Sequence, residues 1–172
     1  YAFSDCSALV EVSIPSSVDE IGSCAFNYCT ALSSIVLPDS VTEIEAGAFA
    51  ECRALTTVVL PNSLTDIRAY LFSYCTSLPN LLIPDSVTEI ETGAFQRCTA
   101  LVSIVIPDSV TEIEDIAFFQ CSALRSVLLP ASVTEIGVGA FDKCPNLTLT
   151  VFRNSYAERY AQRNHIPYTY AD

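Results

Sequence analysis

The sequence predicts an α/β solenoid, a fold in which one short unit of chain coils repeatedly around an elongated core. The first observation is a period of 23 residues, which persists without an insertion through seven copies. The second is that one phenylalanine, one cysteine and one leucine recur in register in every copy. The third is a proline that ends the same segment in six copies. Such units bury their apolar side chains only against their neighbours.

The repeated unit reads LPxSVTEIxxxAFxxCxxLxxIx. Its two most similar neighbours, residues 83–105 and 106–128, share fifteen identities. The recurring columns are Phe3, Phe26, Phe49, Phe72, Phe95, Phe118 and Phe141; Cys6, Cys29, Cys52, Cys75, Cys98, Cys121 and Cys144; and Leu9, Leu32, Leu55, Leu78, Leu101, Leu124 and Leu147. The columns predict one array over residues 1–152, with a truncated first copy, and a C-terminal cap over 153–172.

The segment from the leucine to the proline predicts a short parallel strand in each unit. In residues 55–61, the alternation places Leu55, Val58 and Leu60 toward the core and Thr57 and Val59 toward solvent. Proline lacks an N–H group and has a fixed φ, so it ends each strand at the same level. The preference of β-crossovers for one hand predicts a right-handed coil.

The remainder of each unit returns to the sheet by two segments. Ser-Val-Thr-Glu-Ile crosses to the opposite side, with positions such as Val41 and Ile44 facing inward, and is at best a short irregular strand. Ala-Phe-x-x-Cys predicts a helical turn, because Ala48, Phe49 and Cys52 have the spacing of one helix face. The fold class is therefore a leucine-repeat superhelix of short strands and short helical turns.

The C-terminal segment departs from the repeat where a cap is expected. Arg153 replaces the proline, and Ser155 with Glu158 forms a capping box that opens a helix of about ten residues, to Asn164. Residues 166–170 are predicted to continue as an extended tail. The helix has one apolar stripe suited to covering the last coil, made of Tyr156, Ala157, Tyr160 and Ala161.

The string AFxxCxxLxxIxLPxxLTxI resembles the leucine-rich repeat of the BspA-like, or Treponema-type, family. The resemblance covers nearly all of residues 2–152. It implies a right-handed solenoid, secretion or display on a cell surface, and a role in adhesion or host contact. The first copy begins within a repeat at Tyr1, so we expect the chain to come from a longer array, which leaves room for an export signal upstream.

Seven of the eight cysteines occupy one repeat position, and Cys24 is the other. Buried free thiols that act as small hydrophobic groups are the favoured interpretation. Disulfides between adjacent coils and zinc binding by the row of thiols are the alternatives. The chain has no CxxC motif, and its one histidine, His165, lies in the C-terminal segment and is expected at the surface. We therefore expect no metal and no other cofactor.

Two outward columns of the sheet are the candidate partner-binding surface. One column is apolar where solvent is expected, and the other is polar. Contiguous exposed apolar patches are uncommon on monomers and mark interaction sites. The alternative is that Val and Leu only reflect strand propensity. The candidate residues are Val36, Val59, Leu82, Val105 and Leu128, with Thr57, Asn80 and Ser103 beside them, and the period adds Val151 to the apolar column.

Acidic residues form a ladder on the opposite side and supply most of the net charge of −12. A solvated face is the favoured interpretation; weak cation sites and a pair of catalytic carboxylates are the alternatives. One lysine and seven arginines give no basic patch, which argues against nucleic acid. The ladder comprises Glu20, Glu43, Asp66, Glu89, Glu112 and Glu135, with Glu45, Glu91 and Glu114 two residues further on and Asp39, Asp85 and Asp108 near the turn.

Two classes of function remain open. The first is a non-enzymatic binding or adhesion module that presents its repeat surface to a protein partner within a larger secreted or cell-surface protein. The second is a passive spacer or a carbohydrate-contacting segment. No catalytic motif is present. The longest uncharged run, residues 69–84, is 16 residues long and contains two prolines, which is short of the ~20 apolar residues that span a membrane.

Overall fold

The computed structural model describes residues 1–171. The chain coils once per repeat, which confirms the predicted solenoid, and the coils contribute to two parallel ladders on opposite sides of the core. Each ladder is interrupted once, on one side between residues 59 and 103 and on the other between residues 44 and 66. We call the sides the sheet face and the back ladder. The sheet face contains β2 (Ser34–Val36), β4 (Thr57–Val59), β7 (Ser103–Val105), β9 (Ser126–Leu128), β11 (Thr148–Val151) and β12 (Tyr168–Tyr170). The back ladder contains β1 (Glu20–Ile21), β3 (Glu43–Ile44), β5 (Asp66–Ile67), β6 (Glu89–Ile90), β8 (Glu112–Ile113) and β10 (Glu135–Ile136).

The core is a column of stacked phenylalanine rings that runs the length of the array. Ring centroids of successive coils lie 5.1–5.9 Å apart, and their planes are within 17° of parallel. The rings from Phe26 to Phe118 are at most 2% exposed. Phe3, in the first coil, is 42% exposed because it packs against a neighbour on one side only. Inward leucine, isoleucine and valine side chains surround the phenylalanine column.

The Ala-Phe-x-x-Cys segment forms overlapping turns that carry the inward residues predicted for a helical turn. The N–H of Cys52 donates to the carbonyl of Phe49 at 3.3 Å, while the N–H of Phe49 donates to the carbonyl of Leu71 in the next coil at 3.1 Å. Half of the backbone groups are thus paired between coils, which prevents a continuous helix. The residue two positions after each phenylalanine has a left-handed φ of 59–62°, although none is glycine: Asp5, Tyr28, Glu51, Tyr74, Arg97, Gln120 and Lys143.

Proline interrupts the sheet face between β4 and β7. In other coils, the residue after the strand-entry leucine donates its N–H to the preceding coil, as Thr56 does to Ser33 at 2.9 Å. Pro79 holds this position in the fourth coil and has no N–H to donate. That coil has no regular strand on the sheet face and joins the next coil by a bridge between Leu82 and Val105 and by the hydrogen bond from the N–H of Val102 to the carbonyl of Pro79 at 2.9 Å. The phenylalanine spacing is also widest on either side of Phe72, at 5.9 and 5.7 Å.

The last coil of the sheet face is one residue shorter than the others. Thr148 pairs with Ser126 and Thr150 pairs with Leu128, a separation of 22 residues. Because side chains alternate along a strand, this shift reverses the faces expected from the period. Val151 is fully buried and Thr150 takes the outward position. The prediction that Val151 extends the exposed apolar column is therefore wrong.

The C-terminal helix α1 (Tyr156–Arg163) covers the end of the phenylalanine column. Ser155 is its N-cap and accepts from the N–H of Glu158 at 3.0 Å, as the capping box predicts. Ala157, Tyr160 and Ala161 are buried, and the Tyr160 ring meets Phe141 edge-on at 6.2 Å. The segment predicted as an extended tail is strand β12, which pairs with β11. The division of the chain at residue 152 stays a prediction.

Candidate functional site

The apolar column on the sheet face is exposed along five successive coils. Strand alternation directs one side chain per coil outward while its neighbours enter the core. The exposed fractions are 60% for Val36, 47% for Val59, 79% for Leu82, 64% for Val105 and 42% for Leu128. The structure thus aligns these five predicted residues in one row. Near the first coil, the row adjoins a groove of about 510 Å³ that includes Val12, Ile14 and Pro38.

An uncharged polar column runs beside the apolar one. Thr57, Asn80 and Ser103 are all exposed, and the register places Ser34 opposite Thr57 and Ser126 opposite Ser103. Hydroxyl and amide groups at these positions can donate and accept hydrogen bonds at modest desolvation cost. The two columns together form a surface with an apolar centre and a neutral polar side.

A row of carboxylates borders the other side of the apolar column. Each sheet-face strand is followed by a turn closed at the repeat proline, as where the N–H of Val41 donates to the carbonyl of Pro38 at 3.0 Å. The residue after the proline is exposed in this turn, and it is Asp39, Asp85 or Asp108 in three coils. We call these three residues the acidic edge. They lie three residues from the apolar column along the chain.

The back ladder stacks carboxylates in the predicted register. Glu20 pairs with Glu43, and Glu89 lies between Asp66 and Glu112. Five carboxylates of the two acidic columns lie near the guanidinium group of Arg68 or accept backbone hydrogen bonds, which the sequence analysis missed. Arg68 lies 2.9 Å from Glu91, 3.4 Å from Glu43 and 3.8 Å from Asp66.

The second glutamate column has a structural role. The Glu45 carboxylate accepts from the N–H of Ser23 at 2.7 Å, and Glu91 accepts from the N–H of Ala69 at 2.8 Å. Glu114 accepts from both the N–H and the hydroxyl of Thr92, at 2.7 and 2.6 Å. Each of these carboxylates thus accepts a hydrogen bond from a backbone N–H of the preceding coil. These contacts account for the column without a bound cation.

One group of carboxylates is close enough for its members to affect one another's protonation. Oxygen atoms of Glu89, Glu112 and Glu114 lie within 4.8 Å of one another. Burial, a hydrogen bond with Glu114 and the charge of Glu112 raise the pKa of Glu89 to about 7. Burial and the charge of Glu135 also raise the pKa of Glu112. The hydrogen bonds from Thr92 lower the pKa of Glu114, so Glu89 is the group that holds a proton near neutral pH.

The cysteine column consists of free thiols, as predicted, and five of them are buried. Each thiol from Cys29 to Cys144 donates to the carbonyl of the phenylalanine 26 residues earlier, as Cys52 does to Phe26 at 3.2 Å. Burial raises the pKa of Cys52 to about 12 and that of Cys75 well above its ordinary value. Buried protonated thiols are poor nucleophiles and poor metal ligands.

We expect a thiol reagent at neutral pH to distinguish the end of the array from its interior. Native protein should react readily at the exposed Cys6 and slowly at the half-buried Cys24 and Cys144. The other five thiols should react only after denaturation, without any reductant, because burial protects them and disfavours the thiolate. Mass spectrometry of the labelled peptides measures this. Native disulfides between adjacent coils, such as Cys52 to Cys75, would contradict the assignment of free thiols.

In the described part of the chain, no helix is long and apolar enough to cross a membrane.

His165 is exposed just beyond α1, as predicted, and has a left-handed φ of 55°.

The repeat, the two parallel ladders and the buried leucine columns define a leucine-rich repeat solenoid. The family model for the BspA type leucine rich repeat region, in six copies, matches residues 1–118 and 66–161. The chain therefore belongs to the BspA-type leucine-rich repeat family.

Solved structures of other bacterial proteins share this fold. A leucine rich cell surface protein from Faecalibacterium prausnitzii is 39% identical, with a TM-score of 0.73 over 80% of this chain and 38% of its own length. A leucine rich repeat protein of T. pallidum is 38% identical, with a TM-score of 0.66 over 68% of this chain and 57% of its own. The pneumococcal vaccine antigen PcpA, at 18% identity and a TM-score of 0.68, covers 92% of this chain and 40% of its own and shares the fold alone.

No curated protein matches the chain. The chain spans 38% and 57% of the lengths of its two more similar structural relatives.

Proposed function

We propose that the chain is a non-enzymatic binding module of a larger cell-surface protein and that its sheet face contacts a protein partner. The observation that carries the proposal is the row of five exposed apolar side chains. Val36, Val59, Leu82, Val105 and Leu128 form the centre of the proposed surface, with Thr57, Asn80 and Ser103 at its polar side. A contiguous apolar row with a polar border has the anatomy of a protein interface.

Strand propensity alone is a weak explanation for this row. Valine suits a strand, so Val36, Val59 and Val105 fit either interpretation. Leu82 does not, because it lies outside the regular strands, joins its neighbour by one bridge and is still 79% exposed. Exposing a leucine there gives no benefit to the sheet. The side chain is better explained by a partner that removes it from water.

The relatives support the proposed location. The F. prausnitzii relative is described as a cell surface protein, and it is 39% identical to this chain. We propose by analogy that this chain is also presented outside the cell. A partner of such a module would be a host, matrix or neighbouring surface protein.

We expect Leu82→Glu or Val105→Glu to abolish partner binding without unfolding the solenoid. Both side chains point outward, so the charge should cost no more than about 0.5–1 kcal/mol of stability. An apolar anchor at the centre of an interface contributes ~2 kcal/mol or more, which is about thirtyfold in affinity. The measurement is surface plasmon resonance against a panel of purified extracellular matrix and serum proteins, with thermal melts of every variant.

Thr88→Glu is the matched control, because Thr88 is an exposed residue next to the back ladder. This variant should bind as the wild type does. If Leu82→Glu folds and binds like the wild type while Thr88→Glu loses binding, the back ladder is the functional surface. Binding to no member of the panel by any variant would favour the passive spacer, whose repeats only separate other domains.

A further inference from the structure

The spacing of the coils restricts what shape of partner can contact every residue of the apolar column. Equivalent side chains recur once per coil, at roughly 4.8 Å where the parallel strands of the sheet face are hydrogen-bonded, while the phenylalanine ring centroids of successive coils lie 5.1–5.9 Å apart. An α-helix has a pitch of about 5.4 Å, so a helix laid along the solenoid axis presents about one turn to each coil and drifts by only ~2.4 Å over four coil steps. Side chains on one face of a strand recur every ~6.7 Å and lose register within two or three coils.

The length of the column also fits a helix. Val36 and Leu128 are separated by four coil steps, which at the spacing of hydrogen-bonded strands is roughly 19 Å. A helix of about 15 residues covers this distance with five apolar side chains at its i, i+3 and i+4 positions. The apolar stripe of such a helix would place one side chain against each of the five exposed residues.

The charges beside the column are unequal on its two sides. The acidic edge, Asp39, Asp85 and Asp108, follows the column by three residues, or ~10 Å of extended chain. On the opposite side, the residues that enter the strands are uncharged except for Arg125: Ser33, Thr56, Pro79, Val102 and Thr148. A helix centred on the column extends about 5–6 Å to either side, and the acidic edge lies at most ~10 Å from the column, so long side chains on that flank of the helix point toward the acidic edge. Lys or Arg on that flank would complement it, and the net charge of −12 would attract it.

We infer that the partner segment that the sheet face binds is a basic amphipathic α-helix, lying along the solenoid axis with its apolar stripe on the Val36–Leu128 column and its cationic flank toward Asp39, Asp85 and Asp108. This inference rests on the proposed function and names the kind of partner. It also predicts a salt-dependent association, because the acidic edge is exposed.

Three designed peptides of equal length test the shape and the charge. The first has leucine at helical spacing with lysine along one flank. The second has the same composition in alternating, strand-like order. The third is the first with glutamate in place of lysine. Fluorescence anisotropy of the labelled peptides with the whole chain measures binding at about 50 and about 500 mM salt. We expect the first peptide to bind at least ~10-fold more tightly than either of the others at low salt.

Variants of the chain then locate the bound helix. Leu82→Glu should weaken binding of the first peptide by ~10-fold or more. The double variant Asp85→Asn, Asp108→Asn should weaken it about fivefold at low salt and hardly at all at high salt. Glu20→Gln removes one exposed carboxylate from the back ladder and should leave binding unchanged.

Several results would overturn the inference. Equal or tighter binding of the strand-order peptide would reject the helix, and indifference to the aspartate substitutions would reject the cationic flank. If no peptide binds although Leu82→Glu abolishes capture of a matrix or serum protein, the helix is wrong and the proposed function stands. If the first peptide binds equally well to Leu82→Glu, the helix does not lie on this face, and the sheet-face proposal fails as well if Leu82→Glu also captures its protein partner like the wild type.

Discussion

Replacing Phe95 with alanine should lower the free energy of unfolding by about 3–5 kcal/mol, the cost of a large cavity in a packed core. Phe95 is fully buried and stacks on Phe72 at 5.7 Å and on Phe118 at 5.1 Å. Because each coil contacts only its neighbours, the cavity should also uncouple the coils on either side of it. Urea denaturation should then show a lower midpoint. The transition should also have a smaller m-value or separate into two transitions, because the coils on the two sides no longer unfold together.

Phe3→Ala is the matched control for Phe95→Ala. It removes the same side chain from the same column, but Phe3 is 42% exposed and stacks on one ring only. We expect it to cost no more than about half as much, with an unchanged slope of the transition. A loss below ~1 kcal/mol for Phe95→Ala would show that the phenylalanine column does not hold the coils together.

Glu89→Gln should stabilise the protein above neutral pH and have little effect near pH 5. The pKa of Glu89 is raised to about 7, mainly by burial and then by its contact with Glu114, against an ordinary value of 4.5. A raised carboxyl pKa means that the folded protein holds this proton more tightly than the unfolded chain does. Ionisation of Glu89 therefore costs stability as the pH rises through about 7. After allowance for solvent screening, we expect an effect of ~1–2 kcal/mol.

The measurement is the melting temperature of wild type and Glu89→Gln between pH 4 and pH 9. The wild-type value should rise on acidification from neutral pH toward about 5, because Glu89 and Glu112 have raised pKa values. At lower pH it should fall again, because the lowered pKa values of Glu114 and Glu158 mean that their protonation costs stability. Glu20→Gln removes one exposed charge from the same column and is the control. A steady fall in wild-type melting temperature from pH 7 to pH 5 would contradict the raised pKa of Glu89.

The core could be predicted from the 23-residue period, because residues at the same position of every repeat occupy equivalent places in the solenoid. Phe95, Cys98 and Leu101 recur at fixed spacing, and each must face its equivalents in the neighbouring coils. The outward alternation of Val59 and Leu82 follows from the same strands. These predictions needed only the period and the geometry of a strand.

The differences arose where pairing between coils decides the structure. The last coil keeps Phe141, Cys144 and Leu147 in register, and the available sign of the shorter strand that buries Val151 was that Thr150 falls in an inward column of the period. Overlapping turns place inward side chains at the same spacing as a helical turn, so the pattern around Phe49 could not separate the two. The interruption at Pro79 was readable in principle, because a proline at a strand entrance removes a donor from the ladder.

The hydrogen bonds of the back ladder could not be predicted from the sequence, because each joins residues of two different coils. Glu114 reaches Thr92 in the preceding coil, and its charge alone suggested solvent or a cation. Arg68 likewise interrupts the second glutamate column and contacts carboxylates of three coils. An arginine within an otherwise acidic column was the available signal.

Hydroxyl-radical footprinting of the complex with a captured protein tests the central claim most directly, because it reports which side chains lose contact with water on binding. The proposed surface predicts that Leu82, Val105 and Val59 become protected, while Thr88 and Glu112 at the back ladder keep their reactivity. Protection of the back-ladder residues, with Leu82 as reactive in the complex as in the free chain, would contradict the claim that the sheet face is the binding surface.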